Sequence, residues 1–105
     1  MSGILTNMWL KSTATLGRSN VRPLLVCADG FSMSVQASAS HYCEPRTSDA
    51  DWYDTVEVYR CSWREPLFDD LPGRDDSEDE PYARVPVSLV DTVILKHGDI
   101  AKEES

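Results

Sequence analysis

The sequence predicts a small α+β domain: an antiparallel sheet of three to four strands with a C-terminal helix packed on one face. Three observations predict it. A strictly alternating apolar and polar run begins at Phe31, directly after an Asp-Gly turn signal. A second run, rich in valine, covers residues 53–62. An apolar stripe of helical period covers residues 86–97. The 105 residues suffice for one modest core, and a hydrophobic content of 41% is that of a folding chain.

Residues 1–22 read as an N-terminal arm or short helix, set before a single domain over 23–105. Ile4, Leu5, Met8 and Trp9 recur at helical spacing, whereas Ser12, Thr13 and Thr15 weaken a helix and 17–20 resemble a linker. With Lys11, Arg18 and Arg22 the segment is acid-free, at +3. So few basic residues make a poor amphipathic membrane anchor. An arm, or a helix lying on the sheet or on a partner, fits better.

The chain is organised around residues 24–46, LLVCADGFSMSVQASASHYCEPR. Leu24 to Cys27 form a short apolar strand. Asp29-Gly30 then turns the chain, because Gly30 accepts positive φ without a Cβ clash. Beyond the turn Phe31, Met33, Val35 and Ala37 share one face, and Ser32, Ser34, Gln36 and Ser38 the other. The serine face, polar but uncharged, suits a wet surface or a homodimer interface. His41 to Arg46 then form an ordered loop, since Pro45 can neither donate to a ladder nor leave Glu44 helical.

The third strand, 53–62, places Val56, Val58 and Arg60 on one face and Thr55, Glu57, Tyr59 and Cys61 on the other. Both faces carry apolar weight, as in a central strand. Trp52 and Trp63 flank it, and their plainest role is core packing or a lid over the sheet. Residues 64–81 change character: Asp69, Asp70, Asp75, Asp76, Glu78, Asp79 and Glu80 lie among Pro66, Pro72, Gly73 and Pro81. The plain reading of this stretch is a solvated loop. The sharper reading is charge mimicry of nucleic acid. Same-side carboxylates on an extended chain fall about 6.6 Å apart, close enough to phosphate spacing to enter a groove lined by Lys and Arg. Tyr82 to Val85 suit a short strand. Pro86 fits the first helical position, and Leu89, Val90, Val93, Ile94 and His97 continue its stripe. Lys96 and His97 suit the dipole at the helix end, Gly98 suits the position after it, and Ile100 can tuck back against it.

The formal charge of -8, from 18 acidic and 10 basic residues, disfavours direct binding of nucleic acid or a phosphate-rich membrane and suits a basic protein surface. No apolar run approaches the roughly 20 residues of a membrane helix, and no signal peptide is visible. Cys27, Cys43 and Cys61 lack CxxC spacing, which points to free thiols in a reducing compartment.

Two constellations carry potential chemistry. His41, Cys43 and Cys61, with Cys27 and His97 in reserve, could supply zinc ligands, but structural zinc sites bring two closely spaced pairs and only one exists here. Cys43 could be a nucleophile activated by His41 and Arg46. A His two positions away is poorly placed as its base, and His97 is better explained as a helix-end cap. Asp29, Asp54 and Glu57 form no acid/base pair, and no phosphate loop or dinucleotide fingerprint is present. Neither catalytic residues nor a cofactor are therefore expected, and any metal site would rest on His41, Cys43 and Cys61. A structural role suits the 41–46 loop better, with Tyr42 anchoring it and Arg46 pairing with Glu44, Glu57 or the acidic run.

SVQASASHYCEPR (34–46), YDTVEVYRCSWREPL (53–67) and YARVPVSLVDTVILKHGDI (82–100) resemble a family of small bacteriophage and prophage proteins with a QASxxHYCxPR-like core, a YxxVEV-like strand and a VPxxLVxxxIxKHGGI-like end. The three stretches make up 47 of the 105 residues, with Asp99 standing where the last pattern has Gly. It brings no activity to transfer. It implies a phage protein acting in the host bacterial cytoplasm. By analogy of size, charge and context, it suggests an inhibitor of host defence of the anti-CRISPR class, binding a Cas effector subunit on its nucleic-acid surface. Asp69, Asp70, Asp75, Asp76, Glu78, Asp79 and Glu80 would form the contact, with Trp63 and Tyr82 as anchors. The alternatives are a phage accessory or assembly module and a small Cys- or zinc-dependent protein.

Overall fold

The computed structural model describes residues 3–13, 23–39, 43–47, 50–59, 61–63, 65–69, 71 and 82–101. Two helices, α1 (Ile4–Thr13) and α2 (Val87–Lys96), accompany four strands: β1 (Leu25–Val26), β2 (Ser32–Gln36), β3 (Thr55–Tyr59) and β4 (Tyr82–Pro86). The strands form one antiparallel meander in the order β1-β2-β3-β4, with α2 packed against it. The fold is α+β, as the two strand periods and the helical stripe predict.

The alternation after the turn fixes which face is buried. Met33 pairs with Leu25 and Val35 with Val58, and all four are fully buried. Val56 and Val85 form the next pair of this face. Leu10 of α1 and Val90, Val93 and Ile94 of α2 complete one core cluster. The turn itself is a three-residue loop. Cys27 N–H bonds Phe31 O at 2.8 Å, Gly30 sits at φ 95°, and Asp29 Oδ1 accepts the Phe31 N–H at 2.9 Å.

Four expectations need correction. Gln36 and Ser38 belong to the predicted wet face but are buried, because the chain after β2 doubles back. Cys43 Sγ bonds Ser38 O at 3.3 Å, and Glu44 bridges to Thr55. Pro86 is the last residue of β4, paired with Thr55, and precedes the helix instead of opening it. The buried stripe of α2 keeps Val90, Val93, Ile94 and His97 but widens to Val87 and Asp91, with Leu89 only half-buried, because α1 packs on that side. The start of the 64–81 loop is folded: Pro66–Phe68 form a 3-10 turn, Phe68 and Glu65 are buried, and Leu71 packs on the core.

Both edges of the sheet are blunted. At β1 the C-terminal segment pairs back, with Cys27 bridging Ile100 and Ala101 N–H bonding Val26 O at 2.8 Å. This return requires a left-handed residue at Asp99, φ 77°. At β4 the register slips between Val56 and Val58, and Arg84 takes φ 50°, the mark of a bulge.

Asp91 of α2 caps the start of α1. Asp91 Oδ2 accepts from Gly3 N–H at 2.8 Å and Leu5 N–H at 3.2 Å, while Oδ1 accepts from Thr6 N–H at 2.8 Å and its hydroxyl at 2.6 Å. These are the donors that a helix start leaves unsatisfied. Gly3 is needed at this junction, since a Cβ there would lie 2.4 Å from Val87 Cγ2. One turn on, Asn7 docks α1 to the chain before β3. Its amide donates to Tyr53 O at 3.1 Å and accepts from Tyr53 N–H at 2.8 Å. An Asp91→Ala variant leaves three N–H groups, two of them buried, without their acceptor, and leaves the Thr6 hydroxyl only its long bond to Val87 O at 3.5 Å. It is expected to lose about 3 kcal/mol in urea unfolding. Amide exchange should show α1 losing protection ahead of the sheet.

Candidate functional site

The side chains of greatest chemical capacity converge on His97. Three segments bring it its partners. It ends α2, its own N–H bonding Val93 O at 3.1 Å and Ile94 O at 3.2 Å. Asp29 comes from the β1–β2 turn and bonds Nδ1 at 2.5 Å through Oδ2. Glu65 comes from the cap of the 3-10 turn and bonds Nε2 at 2.7 Å through Oε1. Its Oε2 accepts from Leu67 N–H at 2.9 Å and Lys96 Nζ at 2.8 Å. The Phe31 ring stacks on the imidazole with centroids 4.2 Å apart, and Trp63 meets both rings at a steep angle.

This geometry favours the protonated imidazole. A carboxylate faces each ring nitrogen, and only an imidazolium can donate to both. A neutral ring would turn a lone pair toward one of them. Burial opposes the charge, but the hydrogen bonds and charges of Asp29 and Glu65 outweigh it and raise the His97 pKa above the ordinary 6.5. For Glu65 burial works upward, and the Leu67 N–H, Lys96 and His97 together carry its pKa below 4.5. Asp29 is held below 3.8, first by the Phe31 N–H and then, against a small cost of burial, by His97.

The arrangement is a clamp. It joins the hairpin turn, the end of α2 and the start of the acidic run, and it leaves neither imidazole nitrogen for proton transfer. The thiols are similarly engaged. Cys27 is pushed up to about 11, by burial first and then by the charges of Asp29 and Asp99. Cys43 is buried, its Sγ within 3.4 Å of both Ser38 O and Pro45 O. Cys61 is half-buried. His41, the remaining zinc candidate, lies outside the described residues, as does Tyr42. Among the described residues no group of three His, Cys, Asp or Glu side chains could hold a metal ion. Among the described residues Tyr53 ties down this stretch, its hydroxyl donating to Thr47 O. Arg46 Nε donates to Ala39 O at 3.2 Å.

Of the acidic residues singled out in the sequence, Asp70, Asp75, Asp76, Glu78, Asp79 and Glu80 lie outside the described residues. Asp69 is exposed, and its N–H bonds Pro66 O at 3.1 Å. Trp63 belongs to the His97 cluster, whereas Tyr82 packs on Phe68 with centroids 5.2 Å apart. That contact brings together the two ends of the acidic run. Sequence reasoning passed over Glu65 and treated Asp29 as scattered. A charged residue on an apolar helix stripe, His97, was the available signal that buried partners had to exist.

Comparisons with protein-family models, with curated proteins and with solved structures find no match to this chain. No helix among the described residues is long and apolar enough to cross a membrane.

The clamp has a signed pH dependence. The contribution of His97 is full below pH 6.5 and is lost as pH rises through its elevated folded value. The contributions of Glu65 and Asp29 are full above pH 4.5 and 3.8 and are lost as pH falls through their lowered folded values. Thermal unfolding should therefore peak on the acid side of neutrality and decline toward pH 9. In His97→Gln the alkaline decline should flatten, and the variant should be less stable by about 3 kcal/mol at pH 6 because two carboxylates lose their buried partner.

Proposed function

We propose that the protein is a non-enzymatic inhibitor that occupies a basic nucleic-acid-binding surface of a host defence protein, with a Cas effector subunit as the target class that the phage resemblance suggests. The observation that carries this reading is the closure of the acidic run at its base. Residues 69–81 hold seven carboxylates against the single Arg74. Buried Phe68 precedes them, Tyr82 follows them, and the two rings touch. Glu65, locked to His97 and Lys96, holds the chain a few residues earlier.

Pinning both ends of a charged segment reduces the freedom it loses on binding, so more of the Coulomb attraction remains as affinity. Electrostatic attraction of this kind speeds association and falls with salt. The non-enzymatic part of the reading rests on the commitment of His97, Cys27 and Cys43 to structural contacts.

The test is capture from a bacterial host lysate with tagged protein, washed at low and high salt. A nucleic-acid-binding protein should be retained at low salt, released at high salt and displaced by DNA or guide RNA. Changing Asp75, Asp76 and Asp79 to Asn and Glu78 to Gln together should weaken that capture about tenfold or more, at a few tenths of a kcal/mol per charge. Undiminished capture by this variant would end the mimicry reading.

A further inference from the structure

Trp63 is nearly half exposed, at 46%, yet it is held firmly in place. Its backbone is clamped through Ser62, whose N–H bonds Ser32 O at 2.8 Å and whose hydroxyl accepts the Ser32 N–H at 2.9 Å. Its ring is set by the Phe31–His97 stack. Those two rings lie 9° from parallel, and the indole stands at 69° to Phe31 and 67° to His97, with centroids at 5.2 and 5.8 Å. A ring that is steep and nearly equidistant to both members of a stack must lie beside the stack, not on its end. At these separations it lies face-on across the two ring edges, since rings meeting edge to edge would stand farther apart. One indole face is therefore used inside the protein, and the opposite face is presented to solvent as a flat, fixed platform.

The surroundings select what would lie on it. The chain carries a charge of -8, and the acidic run begins at Asp69, six positions on. A planar cation is the natural occupant. A guanidinium stacks on an indole face with cation–π attraction and is weakly hydrated, whereas an ammonium remains a hydrated point charge. We propose that the outward face of Trp63 docks an arginine side chain of a basic protein partner. This rests on the charge-driven reading above and adds to it a short-range contact that distinguishes arginine from lysine.

The probes are two octapeptides of equal charge, one of alternating Arg and Gly and one of alternating Lys and Gly, titrated at low salt into nitrogen-15-labelled protein. The indole N–H signals of Trp9, Trp52 and Trp63 are followed, with that of Trp63 assigned through Trp63→Phe. The arginine peptide should shift the Trp63 signal saturably, leave the other two in place, and bind about threefold or more tightly than the lysine peptide. Trp63→Leu, checked for retained helix by circular dichroism, should remove that preference.

Equal binding of the two peptides with an unmoved Trp63 signal overturns the platform. If the fourfold Asn/Gln variant then loses affinity for both, the charge-driven reading still stands. A Trp63 shift that persists undiminished in that variant keeps the platform and removes the role of the acids. Binding of neither peptide overturns both.

Discussion

The structure depends on one histidine sharing both of its ring N–H groups between two carboxylates. Asp29 and Glu65 lie 36 positions apart in the chain, and His97 follows Glu65 by a further 32. The segments that carry Asp29 and Glu65 are too short to hold a fixed position alone. β1 has two residues, and the 3-10 turn has three. The imidazolium makes their positions mutually dependent. The turn cannot move without exposing His97, and Glu65 cannot leave without stranding a buried charge. Phe31 and Trp63 complete the enclosure of the imidazole, while the Asp29 carboxylate stays partly open to solvent.

α2 organises the molecule through its polar exceptions as much as through its apolar stripe. Val90, Val93 and Ile94 bury it against the sheet, which is a general attraction with little directional content. Asp91 and His97 supply the direction. Asp91 fixes the start of α1, and His97 fixes the hairpin turn and the beginning of the acidic run. The acidic run is bounded by parts of this framework at both ends, with Glu65 and Phe68 before it and Tyr82 after it. Whatever the seven carboxylates contact, their base is carried by the most interconnected part of the described structure.

The sheet and α2 were legible in the sequence because their patterns are local. A period of two after Asp29-Gly30 and a helical stripe ending before Gly98 can each be read within about a dozen residues. Gly30 and Gly98 indeed take positive φ. The clamp was not legible, since it is built from single residues of three segments whose spacing carries no motif. His97 looked like a helix-end cap, which it is, but its buried position also demanded partners that the sequence did not name. α1 was half legible. Its own propensity is weak, and its start depends on Asp91, more than 80 positions away. The burial of Gln36 and Ser38 escaped because alternation describes a strand and not the loop that later covers it.

The most direct test is the titration of the His97 imidazole, followed by nitrogen-15 NMR. Both ring nitrogens are expected to stay protonated beyond pH 6.5, with the midpoint displaced above that ordinary value. A midpoint at or below 6.5, with one bare nitrogen already present there, would contradict the clamp and everything derived from it.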